Sequence, residues 1–233
     1  MKPVKLRFAS VVLALAALML SVTSCRAVAG IALGATRVVY PAGQKQVSLP
    51  VSSSDADGAF LIQSWVENAQ DQKDTNLIVT PPLFMMQGKK ENILRIIDAS
   101  ADSLPKDKET LFWLNVRAIP STSPSQAKGN VLQIAVTTRI KLFYRPKNLT
   151  VPPEKAPEML RFQRDGRTLR VTNTSPYYVT VAALRLADMP LGNTMVPPGG
   201  SVSVPLKNAE GSRLSYQTIN DYGALTPAIS VTL

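Results

Sequence analysis

The sequence predicts an all-β protein of two sandwich domains, and three observations carry that prediction. Short apolar segments alternate with turn clusters along the chain beyond residue 29, and no long stretch keeps a period near 3.6. A proline-rich stretch, RPKNLTVPPEKAPE (145–158), splits these segments into two series. A single Cys, Cys25, in 233 residues leaves the fold to apolar cores rather than disulfides.

The chain opens with a segment outside that pattern. Lys2, Lys5 and Arg7 precede a largely apolar run of 12 residues, Val11 to Val22, and Ala27-Val28-Ala29 supplies an A-x-A site. This reads as a secretory signal peptide over residues 1–29, cut before Gly30. The apolar run is shorter than the roughly 20 residues that a membrane-spanning helix needs, so no membrane anchor is expected. Val22-Thr23-Ser24-Cys25 is an alternative lipoprotein site that would lipidate Cys25; the A-x-A site, directly before a strand start, is preferred.

The first series of strands is expected at Thr36–Tyr40, Gln46–Val51, Phe60–Glu67, Asn76–Thr80, Ile93–Ile97, Thr110–Ala118 and Val131–Phe143. Turn signals such as PAG, QDQKD and MQGKKEN lie between them. Seven strands at this spacing suggest an immunoglobulin-like sandwich, placed at residues 30–148. Thr80-Pro81-Pro82 suggests a cis peptide or a switch between sheets. The second series is expected at Met159–Gln163, Thr168–Asn173, Tyr178–Leu186, Ser201–Leu206, Ser212–Asn220 and Ala228–Leu233, with a hairpin turn at Asp165-Gly166. It forms a smaller domain over 149–233. Two β domains on a stiff hinge leave a cleft, the usual place for a binding site.

Composition removes several kinds of chemistry. Without His there is no Ser-His-Asp site, no His-ligated zinc and no imidazole acid–base catalyst. Cleavage before Gly30 would also remove the thiol. No catalytic constellation stands out, so no enzyme activity, cofactor or metal is expected. The formal charge is +10. Four basic residues and no acidic one leave with the leader, and the rest carries no dense Lys/Arg run, so nucleic acid is a poor partner.

The longest strand candidate is NVLQIAVTTRIKLFYRP (130–146). Leu132, Ile134, Val136, Ile140 and Leu142 alternate with polar positions. Such a strand is an aggregation risk at a sheet edge. It is therefore either buried in mid-sheet or used through its edge.

LPKDKETLFWLNVRAIP (104–120) is the most specific stretch. By composition it is a core strand led by a charged turn. Its order of residues resembles the signature of the PapD-like periplasmic pilus-assembly chaperones, matched by Leu104, Pro105, Glu109, Thr110, Phe112, Asn115, Ile119 and Pro120. GIALGATRVVYPAGQKQ, LIQSWVENA, VTPPLF, RIKLFYRP and TINDYGALTP are similar to segments of the same family, so the likeness spans the mature chain.

The resemblance implies two immunoglobulin-like domains in a bent, boomerang-like arrangement with an interdomain cleft. It implies a periplasmic chaperone without catalytic activity that caps pilus subunits, a tip adhesin among them, and delivers them to an outer-membrane usher. In this family a subunit lacks its last strand, and the chaperone lends its own by donor-strand complementation. On matching positions the lent side chains are Leu132, Ile134 and Val136. The subunit's C-terminal carboxylate is anchored by Arg37 and Lys141. Strict alternation puts Lys141 on the face opposite the lent side chains, so a bulge or strong twist is expected to aim it into the cleft. Glu109, Arg145 and Asp221 match an interdomain ionic network. The short loop PSTSPSQAKGN fits the short-loop branch of the family. A secreted immunoglobulin-like pilin or adhesin is the alternative reading, and self-association of the free chaperone stays open.

Overall fold

The computed structural model describes residues 30–55, 58–121, 132–206 and 210–233. Nine strands form the first domain: β1 (Ile31–Leu33), β2 (Arg37–Pro41), β3 (Val47–Ser53), β4 (Ala59–Asn68), β5 (Leu77–Thr80), β6 (Leu83–Gln87), β7 (Glu91–Asp98), β8 (Thr110–Pro120) and β9 (Val136–Arg145). They make two facing sheets, ordered β1-β3-β7-β5 and β2-β9-β8-β4-β6. Period-two patterning explains the core. Leu49 and Val51 of β3, Leu94 and Ile96 of β7, Leu114 of β8 and Leu142 of β9 all turn inward and are fully buried.

The start of the chain is divided between the sheets. β1 pairs antiparallel with β3, whereas β2 pairs parallel with β9. Gly34 lies at the crossing, where its N–H donates to the Pro50 carbonyl at 2.8 Å. A Cβ there would stand 3.2 Å from the Pro50 ring, so glycine permits the close approach. Thr80–Pro81 is a cis peptide, and the chain passes there from β5 in one sheet to β6 in the other. Both readings of that dipeptide hold.

The stretch read as a stiff linker is partly structured. β9 continues through Arg145, and Pro153–Met159 winds into a 3-10 helix. Pro153 presets φ at its first turn, and the Lys155 N–H bonds the Pro152 carbonyl at 3.0 Å.

Eight strands follow: β10 (Leu160–Asp165), β11 (Thr168–Asn173), β12 (Val179–Leu186), β13 (Met189–Pro190), β14 (Thr194–Val196), β15 (Ser201–Pro205), β16 (Arg213–Thr218) and β17 (Ile229–Thr232). β10-β11-β15 form one sheet. β13-β12-β16-β17 form the other, with β14 also on β12. Gly166 turns between β10 and β11 at φ +56°. β12 is not one regular strand. Its register with β16 shifts between Ala182 and Arg185, and Ala183 has φ 48°. The bulge changes the phase of the strand, so Val179 and Val181 face inward before it and Leu184 and Leu186 after it. Each domain thus closes over its own apolar core. Among the described residues no helix is long and apolar enough to cross a membrane.

Candidate binding site along β9 and the domain interface

β9 has two unlike halves. β8 pairs with it from Val136 to Tyr144, but β2 joins its other side only from Lys141 onward. Val136 to Ile140 therefore have one neighbour and an open edge among the described residues. In an antiparallel pair alternate residues bond to the neighbour, and those between direct N–H and C=O outward. The open edge is thus a template for another strand.

The strand begins later than the sequence suggested. Val131 lies outside the described residues, as do residues 122–130, which hold most of the stretch PSTSPSQAKGN read as a short loop. Leu132 to Ala135 precede β9 and belong to no strand. The ladder stops at Ala118 and Val136, two residues before β8 ends at Pro120, which has no N–H to give. There the Gln133 amide bonds the Pro120 carbonyl. Leu132, Ile134 and Val136 are exposed by 84%, 62% and 60%, although they continue the inward positions of Ile140, Leu142 and Tyr144. Ile134 and Val136 border a small cavity of 170 Å³ whose other walls include Leu33, Phe60 and Val116. The apolar stripe leaves the core at the open end of the sandwich.

The parallel register of β2 and β9 sets Arg37 beside Lys141. Arg37 is 9% exposed, and its Nη1 donates to the Ile219 carbonyl at 3.2 Å. Lys141 Nζ donates to Thr180 Oγ1 at 3.2 Å. Both acceptors belong to the second domain, which the spacing of Arg37 and Lys141 gives no hint of. Among the described residues neither cation has an ion-pair partner, and Arg37 Nε is buried without an acceptor. Burial pushes Arg37 below its ordinary value, and the fields of Asp221 and Glu109 offset part of this. Burial also lowers Lys141, and the Arg37 charge lowers it further. Two adjacent cations with spare donors suit a carboxylate, through charge-assisted hydrogen bonds.

The bulge expected for Lys141 is absent. The β8–β9 register is continuous, and Lys141 stays on the face opposite the apolar stripe. None is needed, because that outer face is the one turned to the second domain, where Thr180 lies.

Glu109, Arg145 and Asp221 come together between the domains. Arg145 Nε donates to Glu109 Oε1 at 2.7 Å, and its two terminal nitrogens donate to Asp221 at 2.6 and 2.8 Å. The Glu109 side chain is 1% exposed. Its Oε2 accepts from the Tyr178 N–H at 2.8 Å, while its own N–H donates to the Pro176 carbonyl at 2.9 Å. Burial pushes the Glu109 carboxyl up, and Arg145 and the Tyr178 N–H pull it partly back. Burial alone would lower Arg145; its two carboxylates outweigh that and hold it above its ordinary value. Phe143 stacks on Tyr178 at 5.7 Å between ring centres. Sequence reasoning did not find this contact, since nothing local in RIKLFYRP or SPYYV points to the other.

Fold and site together define a two-domain β-sandwich protein that presents an unfinished sheet edge beside a pair of cations, Arg37 buried and Lys141 partly buried. Residues 30–150 match the family model "Pili and flagellar-assembly chaperone, PapD N-terminal domain", and residues 155–230 match "Pili assembly chaperone PapD, C-terminal domain". The chain is 55% identical to the chaperone protein FimC of Escherichia coli O6:H1 over 212 residues, covering 91% of this chain and 88% of that one. It is similar to the crystal structure of the periplasmic chaperone SfaE, at 51% identity and a TM-score of 0.79 over 88% of this chain and 100% of that one. It is also similar to the structure of the Salmonella enterica SafA pilin in complex with the SafB chaperone, at 28% identity and a TM-score of 0.80 over 90% and 99%. The chain belongs to the PapD-like family of pilus-assembly chaperones.

Proposed function

We propose that this fimbrial chaperone works in the periplasm, lending β9 to pilus subunits, the tip adhesin included, and passing them to an outer-membrane usher. The carrying observation is the exposed stripe of Leu132, Ile134 and Val136, which leads into an open-edged strand that runs to the Arg37–Lys141 pair. A cargo strand pairing with Val136–Ile140 takes the sheet position directly ahead of β2. Running parallel to β9, as β2 does, it delivers its C-terminal carboxylate to Arg37 and Lys141. The lent side chains face the cargo's open core while the anchor engages its terminus from the other face. Burying each apolar side chain is worth roughly 1.5–3 kcal/mol, and backbone bonds along the edge fix the register.

Glu109, Arg145 and Asp221 hold the domains so that Thr180 and the Ile219 carbonyl stay against the anchor. Export through a signal peptide at residues 1–29, domain limits at 30–148 and 149–233, and delivery to the usher rest on the sequence and on family membership. The family is not an enzyme family, and both matched models are chaperone domains, which favours this reading over a pilin or adhesin.

The test is Arg37→Ala and Lys141→Ala, singly and together. Each is expected to keep a native circular dichroism spectrum and to weaken capture of a purified pilin by about 1.5–3 kcal/mol. Normal capture by the double variant would remove the anchor.

A further inference from the structure

The open half of β9 carries a second cation on the same outer face as Lys141. The Arg139 guanidinium lies 4.3 Å from the centre of the Trp113 ring. Its Nη2 pairs with Asp71 and stands 3.4 Å from Glu67 Oε2. Glu67 in turn accepts from Trp65 Nε1 at 2.8 Å. Beside this group, Arg117 Nε donates to Thr137 Oγ1 at 3.1 Å, with its guanidinium 5.1 Å from the Trp65 ring. The contacts run unbroken from β9 across β8 to β4, and Asp71 adds the segment between β4 and β5. They stop at Thr137, just where the strand begins.

The location has a physical meaning. Holding a residue in one backbone well costs conformational entropy. From Lys141 onward two ladders and a buried face offset that cost. From Val136 to Ile140 there is one ladder, and Val136 through Arg139 are exposed. Side-chain contacts on the outer face are what that half has in addition. A guanidinium stacked on an aromatic face and paired with two carboxylates is well suited, because its planar fork is preorganised.

We infer that Arg139 is a positioning residue: through Trp113, Glu67 and Asp71 it keeps the open half of β9 extended and in register before cargo arrives. This rests on the reading of β9 as the lent strand. Cargo then meets a formed edge, and ordering that segment is not charged against binding. Association is slower where binding must first create its own conformation, so the effect falls on the on-rate.

The experiment uses the full mature chain and Arg139→Gln. Amide hydrogen exchange in the free protein, read at those amides of residues 136–140 that bond to β8, is expected to speed up roughly three- to tenfold, with the urea midpoint little changed. Association with a synthetic peptide of alternating apolar residues and a free C-terminal carboxylate is expected to slow by a similar factor, with dissociation nearly unchanged. Arg139→Lys, which keeps the charge, restores part of the protection. Adding Asp71→Asn to Arg139→Gln produces little further loss, because the two act through one contact. Unchanged exchange at 136–140 in Arg139→Gln overturns the inference. So does a uniform loss of protection across the first domain, which would make Arg139 an ordinary stabilising residue. The same peptide as a C-terminal amide separates the two levels: equal binding of acid and amide by the wild type counts against the anchor, while exchange in the free protein still decides the role of Arg139.

Discussion

The two halves of β9 share one strand and one pattern and differ in nearly everything else. Leu142 and Tyr144 are core and lie between β8 and β2; Ile140, the last residue of the open half, is buried with β8 alone beside it. Ile134 and Val136 occupy equivalent inward positions and are mostly exposed. The difference lies in what surrounds them. β2 reaches β9 only at Lys141, and β1 has left for the opposite sheet. Alternating apolar residues therefore specify a face and not its burial; neighbours decide whether that face becomes core or contact surface.

The largest effect that would break this contrast lies at the far end of the buried half. Arg145→Ala leaves Glu109 with its buried charge unmatched, and stability is expected to fall by about 3–5 kcal/mol. Urea melts check this. A loss below 1 kcal/mol would mean that the network adds little to holding the domains. Next comes the direct comparison of the halves. Leu142→Ala is expected to cost about 2–5 kcal/mol of stability, while Ile134→Ala leaves the free protein within about 0.5 kcal/mol of wild type and weakens pilin capture instead. Equal destabilisation by the two would return the whole strand to ordinary core.

The smallest effect is a pH dependence at the join of the two halves. Lys141 in the folded protein has its pKa lowered from 10.5, by burial first and the Arg37 charge second. Between the folded and unfolded values the unfolded chain binds more protons, so stability of the free protein should rise with pH through that window. A bound carboxylate reverses the sign, since it needs the ammonium and binding takes up a proton. Affinity for a carboxylate-ended peptide should therefore fall as pH climbs through the free-state value. Lys141→Arg, whose charge persists, should flatten the fall; the same slope in that variant would assign it to another group.

How much of this the sequence disclosed follows from how local each feature is. β4 and β8 were legible as long, largely apolar runs bounded by turn signals, and β11 because its alternation is regular. β6, β13 and β14 were not, being short, partly exposed and beside proline or glycine. The bulge in β12 was hidden because Tyr178–Leu186 is apolar on both sides of the phase change. The site residues were named through family resemblance. Composition alone leaves Arg37 as one surface cation among many, since its burial depends on the second domain. The face taken by Lys141 was read correctly; the bulge expected for it was not needed, because alternation says which side of a strand a residue takes and not what lies there.

The place where β2 takes over from the open edge has one more consequence. Arg37, its first residue, closes the vacant lane beside β9, and a strand lying in that lane cannot continue past it. A guest must finish there. Under the proposed function the cation pair marks the position of a polypeptide's last atom, and every side chain upstream is counted back from it. One residue more or fewer would turn all of the guest's inward side chains outward. On that reading the site senses where a chain stops, and so would act as a ruler.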